Sequence, residues 1–134
     1  MIYSIIDDAA RMDAADIAAM LKQTYWADQR SMEKIRKTME TSRCYGVYLE
    51  EEKKLVGFAR VISDYATTYY LCDVIVDERY RGNGFGEALV SYIEHAPEYQ
   101  GLRGILITRD AHGLYEKFGY QTLDGRAMTK GQNC

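Results

Sequence analysis

Metal chemistry finds little to work with in this chain. Two histidines, His95 and His112, and three scattered cysteines offer no ligand pair at a zinc-binding spacing. Cys44, Cys72 and Cys134 are odd in number and two of them lie in strand-like runs, so reduced thiols in a cytoplasmic protein are the expected state. Positive charge is not in excess either. Lys and Arg number 17 against 20 Asp and Glu, a net charge of -3, and there is no basic run, which argues against nucleic acid as the main partner. No apolar stretch approaches the length of a membrane span, so no membrane partner is expected. The start, MIYSIIDDAARMD, lacks a positive n-region and a long apolar core and does not read as a signal peptide. With no repeat and no low-complexity tract, the 134 residues are expected to fold as one domain, 1–134, large enough to bury a core without staples.

What is present centres on residues 71–95. Residues 71–76 form a β-branched, mostly apolar run suited to a buried strand. Charged residues 77–81 break it, and Gly82, Asn83, Gly84, Phe85 and Gly86 follow. An apolar stripe then starts at helical spacing with Phe85, Leu89, Tyr92, Ile93 and Ala96, and Pro97 closes it. Glycines allow dihedrals closed to other residues and let a ligand approach the main chain. The first amides of a helix lack internal partners and carry partial positive charge. A glycine turn feeding a helix is therefore a phosphate cradle, and Arg81 at its lip adds a fork of donors. A plain tight turn is the alternative.

Two familiar phosphate loops do not fit. A dinucleotide fingerprint needs a third glycine at 87, where Glu87 stands, and no Gly-Lys-Ser/Thr tripeptide of a P-loop follows. The pattern is Arg-x-x-Gly-x-Gly, carried by Arg81, Gly84 and Gly86. It resembles the acyl-CoA-binding motif of the GNAT superfamily of N-acetyltransferases. The resemblance implies that amides of residues 82–86 hold the coenzyme A pyrophosphate, and that the backbone of Val74, Ile75 and Val76 pairs with the pantetheine arm. A second run, residues 111–120, is similar to the family's Ala-x-x-Leu-Tyr-Glu-Lys-x-Gly-Phe/Tyr segment, and Tyr115 falls on the tyrosine that assists the leaving thiolate. A phenol, with pKa near ~10, stays protonated at neutral pH and can donate to a thiolate. Thr108 stands where the family often has asparagine, and Glu78 where proline is common.

The order along the chain reads strand, two helices, three strands, helix, strand, helix, strand. Residues 3–6 are the first strand; Asp13 caps a helix with Ile17, Met20 and Leu21 on one face, and Ser31 caps a second with Met32, Ile35 and Met39. Strands at 44–49 and 55–62 flank a polar hairpin, and 105–107 is a short apolar strand covered on both faces. Asp110 caps a short helix ended by Gly119, and 120–123 with 127–129 form a last hairpin. This is an α/β (α+β) arrangement, a mixed and mostly antiparallel sheet flanked by helices, and it matches the GNAT order over nearly the whole chain.

An amine with pKa near ~10.4 must lose its proton to attack, at a cost of about 4.6 kcal/mol at pH 7, so a base is sought. Asp73 is the first choice because it interrupts an apolar strand, where a buried aspartate must be paired or used. Asp64 and His112 are lesser candidates. In the family, the loop between the first two helices builds the acceptor pocket; here it offers Tyr25, Trp26 and Arg30, with faces for a cation and a fork for a carboxylate. The expected activity is direct acetyl transfer from acetyl-CoA to an amine, most simply a small molecule, with Cys72 not needed as nucleophile. A non-catalytic acyl-CoA sensor and a nucleotide-binding module remain as alternatives. Dimers are common in the family, and nothing in the sequence locates an interface.

Overall fold

Asp13 and Ser31 start two helices as the sequence predicts. Asp13 accepts a hydrogen bond from Ala15 N at 2.8 Å and opens α1 (Ala14–Leu21), which buries Ile17, Met20 and Leu21. Ser31 accepts from Lys34 N at 3.1 Å and opens α2 (Met32–Thr41), anchored by Ile35. The computed structural model describes residues 1–131; Cys134 lies outside them. Its strands are β1 (Tyr3–Ile6), β2 (Arg43–Leu49), β3 (Lys54–Ser63), β4 (Thr68–Val76) and β5 (Arg103–Ile105). They form one sheet in the order β1-β2-β3-β4-β5. All neighbours are antiparallel except β4 and β5, which run parallel. Helix α3 (Phe85–Glu94) connects that parallel pair, and α4 (His112–Glu116) follows β5.

The helices sandwich the sheet. On one face α1 and α2 bury Ile17, Met20 and Ile35 against Ile6, Phe58 and Ile75. On the other, α3 buries Leu89, Val90 and Ile93 against Val47, Val61 and Leu71. Leu89 and Ile93 are 0% exposed; each such side chain contributes roughly 1.5–3 kcal/mol of transfer free energy.

One irregularity in β4 shapes everything downstream. The register with β3 runs from Phe58↔Ile75 to Arg60↔Cys72, so Asp73 and Val74 together face the single residue Ala59. This is a β-bulge, and Asp73 adopts φ 55°, the left-handed region. The bulge shifts the alternation by one. Tyr69 and Leu71 face the α3 side before it, whereas Val74 and Val76 do so after it.

The last quarter of the chain departs from expectation. The fifth strand is Arg103–Ile105 rather than 105–107, and Ile105 and Ile107 are exposed, not covered. An apolar triplet was the wrong signal: the pairing partner on β4 ends at Tyr70, so the chain leaves the sheet before the triplet is complete. Asp110 does not cap α4. The cap residue is Ala111, whose N–H is taken by Thr108 Oγ1 at 3.0 Å, so the threonine makes the turn. Residues 120–123 and 127–129 form no strand, and all but Tyr120 are exposed. Pro97 lies past the end of α3 and starts a single turn, Pro97–Tyr99, instead of closing the helix itself.

Candidate active site

Strands β4 and β5 pair from Thr68↔Arg103 to Tyr70↔Ile105 and no further. Beyond that point they diverge, and the β4 backbone from Leu71 onward has no strand on its β5 side among the described residues. A cleft of about 500 Å³ opens there. One wall is β4, with Cys72, Asp73 and Val74; the other holds Leu106, Thr108 and Tyr115. Ligand clefts at the carboxyl ends of diverging parallel strands follow from this geometry, because the edge amides and carbonyls left over need partners.

The glycine turn sits at the end of β4. Gly82 and Gly84 have φ of 85° and 76°, which a side chain would strain. A Cβ built on either meets no heavy atom within 4 Å, so the space before them is open to a ligand. Gly84 caps α3 without a side-chain hydrogen bond, leaving the first amides of the helix, from Phe85 onward, without an internal partner. Arg81 is exposed beside them, its Nε donating to Val76 O at 3.2 Å, and Asn83 braces the turn by donating to Tyr80 O at 2.8 Å. Two of the nine expected cofactor residues are core side chains. The Phe85 ring packs on Tyr3 at 4.9 Å and Ile75 lies under α1, so only their backbones are available to a ligand.

Tyr115 comes to the cleft from α4. It is 8% exposed and packs edge-on to Tyr120, with ring centroids 6.1 Å apart. Burial, together with the charge of Asp110, pushes its phenol up to about 12. The group therefore holds its proton over the whole neutral range and is a donor there.

Asp73 is placed differently from a free base. Its Oδ2 accepts from Arg30 Nη1 and from Arg60 Nε, each at 2.6 Å. Its Oδ1 accepts from Trp26 Nε1 at 3.0 Å and Arg30 Nη2 at 3.2 Å. Burial alone would push this carboxyl up; the two guanidiniums outweigh it and hold the group below the ordinary carboxylate range. Both oxygens are occupied by donors and the proton affinity is lowered, which is poor equipment for accepting a proton from an amine. The same contacts correct the expectation for Arg30. Its side chain is 1% exposed and its fork is on Asp73, not open to a substrate carboxylate. Trp26 and Tyr25 do line the cleft. Asp64 is elsewhere, accepting from the N–H groups of Ala66 and Thr67 in its own loop, and His112 is exposed outside the cleft lining.

Two residues escaped the sequence reading. Arg60 interrupts the apolar β3 run just as Asp73 interrupts β4, and opposite charges breaking two adjacent strands was the available signal. Arg109, in the loop after β5, lies over the Tyr25 ring at 3.7 Å, a cation–π contact joining the two loops at the mouth of the cleft. No local pattern announces that pair.

A mixed sheet splayed at β4 and β5, a glycine turn at the strand end and a tyrosine on the facing wall define an acyltransferase class of site. Residues 12–120 match the acetyltransferase (GNAT) family, and the chain belongs to it. It is 32% identical over 114 residues to GCN5-related N-acetyltransferase 2, chloroplastic, of Arabidopsis thaliana, covering 83% of this chain and 44% of that protein. Histone acetyltransferase TAP1 of Glycine max is 30% identical over 113 residues, covering 83% of this chain and 46% of that protein. The chain thus spans less than half the length of these plant relatives. Among solved structures, a GNAT-family protein from Xanthomonas campestris pv. campestris superposes with a TM-score of 0.91 at 34% identity, covering 99% of this chain and 95% of that one. N-acetylglutamate synthase from Neisseria gonorrhoeae, solved with coenzyme A and N-acetyl-glutamate, shares the fold at a TM-score of 0.72 and 18% identity, over 92% of this chain and 29% of that one.

Proposed function

We propose that this chain is a single-domain N-acetyltransferase that moves an acetyl group from acetyl-CoA to an amine, most simply a small molecule, by direct attack. The observation that carries the reading is the divergence of β4 from β5, with the glycine turn at one end of the gap and Tyr115 across it. Open space before Gly82 and Gly84, together with uncapped helix amides, fits a pyrophosphate. Arg81 adds charge at its edge, and the β4 edge beyond its pairing with β5 fits the amide groups of a pantetheine arm.

When bound, acetyl-CoA supplies a thioester carbonyl open to an amine. A β4 amide between Val74 and Val76 stabilises the developing oxygen charge. Tyr115 donates its proton to the departing sulfur, a role suited to a phenol that stays neutral up to about 12. Asp73 acts as a positioning residue: through Trp26 and Arg30 it ties the α1–α2 loop, which carries Tyr25, to the bulge in β4. The proton of the amine passes to water in the cleft. The buried free thiol of Cys44 favours a reducing, cytoplasmic setting.

Thermal unfolding with acetyl-CoA, CoA, ATP and NAD in separate samples tests the reading. A ligand at a hundred times its dissociation constant adds about 2.7 kcal/mol, which raises the midpoint by several degrees in a domain of this size. Shifts with acetyl-CoA and CoA alone, followed by thiol release on addition of an amine, are expected. A larger shift with ATP or NAD would overturn the coenzyme assignment, and coenzyme binding without thiol release for any amine would favour a sensor.

A further inference from the structure

After Tyr120 the chain runs exposed and without regular structure, then returns to the cleft. Thr129, Lys130 and Gly131 line it together with Val74, Thr108 and Tyr115. Gly131, at φ 88°, turns the backbone at this point. Among the described residues that line the cleft, Lys130 is the one with a primary amine. We propose that Lys130 is a modification site: the enzyme transfers an acetyl group to the Lys130 Nζ of its own chain. The inference rests on the acetyl-CoA reading above and assigns that site an acceptor of lysine type.

The chemistry is the same transfer made intramolecular. The neutral Nζ forms the new bond to the acetyl carbon and the carbon–sulfur bond breaks. The electron pair leaves with sulfur, which takes the Tyr115 proton, while the proton of the attacking nitrogen passes to water, and Tyr115 regains a proton from solvent. The products are acetylated Lys130 and free CoA. Tethering favours the reaction, since an amine on the same chain as the cleft it lines has an effective concentration on the order of millimolar, and an intramolecular nucleophile avoids the entropy cost of encounter. Cys72 also lines the cleft, but its thiol points back to Tyr70 O at 3.6 Å within its own strand.

The full chain is incubated with acetyl-CoA alone, and acetyl groups are located by intact mass and peptide mapping. We expect one acetyl group per chain, on Lys130, gained at a fractional rate that does not change with protein concentration and that rises with pH. Lys130→Arg should reduce labelling to background, and Tyr115→Phe should slow it at least tenfold. Labelling proportional to protein concentration would mean transfer between molecules and overturn the proposal. So would labelling that persists in Lys130→Arg or is unchanged in Tyr115→Phe, which are marks of chemical acetylation. A midpoint shift with acetyl-CoA is recorded on the same sample. If the shift is present and Lys130 stays unmodified, this inference fails alone; if the shift is absent, the coenzyme reading fails with it.

Discussion

At the scale of single residues, the acid and the base that the sequence singled out, Tyr115 and Asp73, part company. Tyr115 keeps a proton it can give, because burial raises its pKa to about 12. Its replacement by phenylalanine removes only an oxygen from a ring that packs on Tyr120. We expect Tyr115→Phe to cut thiol release by about a hundredfold or more while leaving the acetyl-CoA midpoint shift intact; an unchanged rate would end the acid assignment. No falling limb due to Tyr115 should appear in the pH–rate profile below about pH 11, since its proton is held to about 12. Asp73 works through contacts instead. Asp73→Asn removes the charge on which Arg30 and Arg60 both converge, and loss of one member of such a buried group costs about 3–5 kcal/mol. Urea unfolding measures this. A variant of full stability that lacks only turnover would restore Asp73 to the role of base.

At the scale of elements, the glycine turn is governed by backbone angle. Gly84 sits at φ 76° with nothing near its missing side chain. Gly84→Val is therefore strained by roughly 1–2 kcal/mol without any clash in the protein, and its β-branched group stands where the phosphates approach. Coenzyme affinity should vanish while the chain stays folded by circular dichroism; retained affinity would refute the cradle. The helices α1, α2 and α3 were legible because each combines a starting residue with an apolar stripe at helical spacing, as Asp13 does with Ile17, Met20 and Leu21. The Arg81–Gly86 turn was legible because glycines in that spacing have few other uses. The bulge at Asp73 was not. A bulge depends on what lies opposite in β3, and an aspartate in an apolar run says that something is paired without saying with what. The region after β5 misled for a related reason: residues 105–107 look like a strand, but a strand needs a neighbour, and β4 has already turned away.

At the scale of the whole molecule, the acidic groups set the response to pH. Asp73 is held below the ordinary range by its arginines, Asp77 at about 2 by the Arg79 guanidinium, and Asp64 lower still by N–H groups of its own loop. Each folded value lies below the unfolded one near ~3.9, so their support is complete above that pH and is lost as pH falls through the folded values. Stability should fall steeply below about pH 4, and Asp73→Asn should flatten that acid slope. The parted strands carry one more consequence, for handling and storage. Among the described residues no strand lies on the β5 side of β4 beyond Tyr70. A row of edge donors and acceptors with no strand beside it is a template for any extended chain that meets it, including a sister molecule. Filling that row with coenzyme takes the template away. Purified protein stripped of CoA should therefore grow into larger particles on standing, as followed by light scattering. The same protein kept in CoA should hold its size, which makes the coenzyme a guardian of colloidal purity as well as a carrier of the acetyl group.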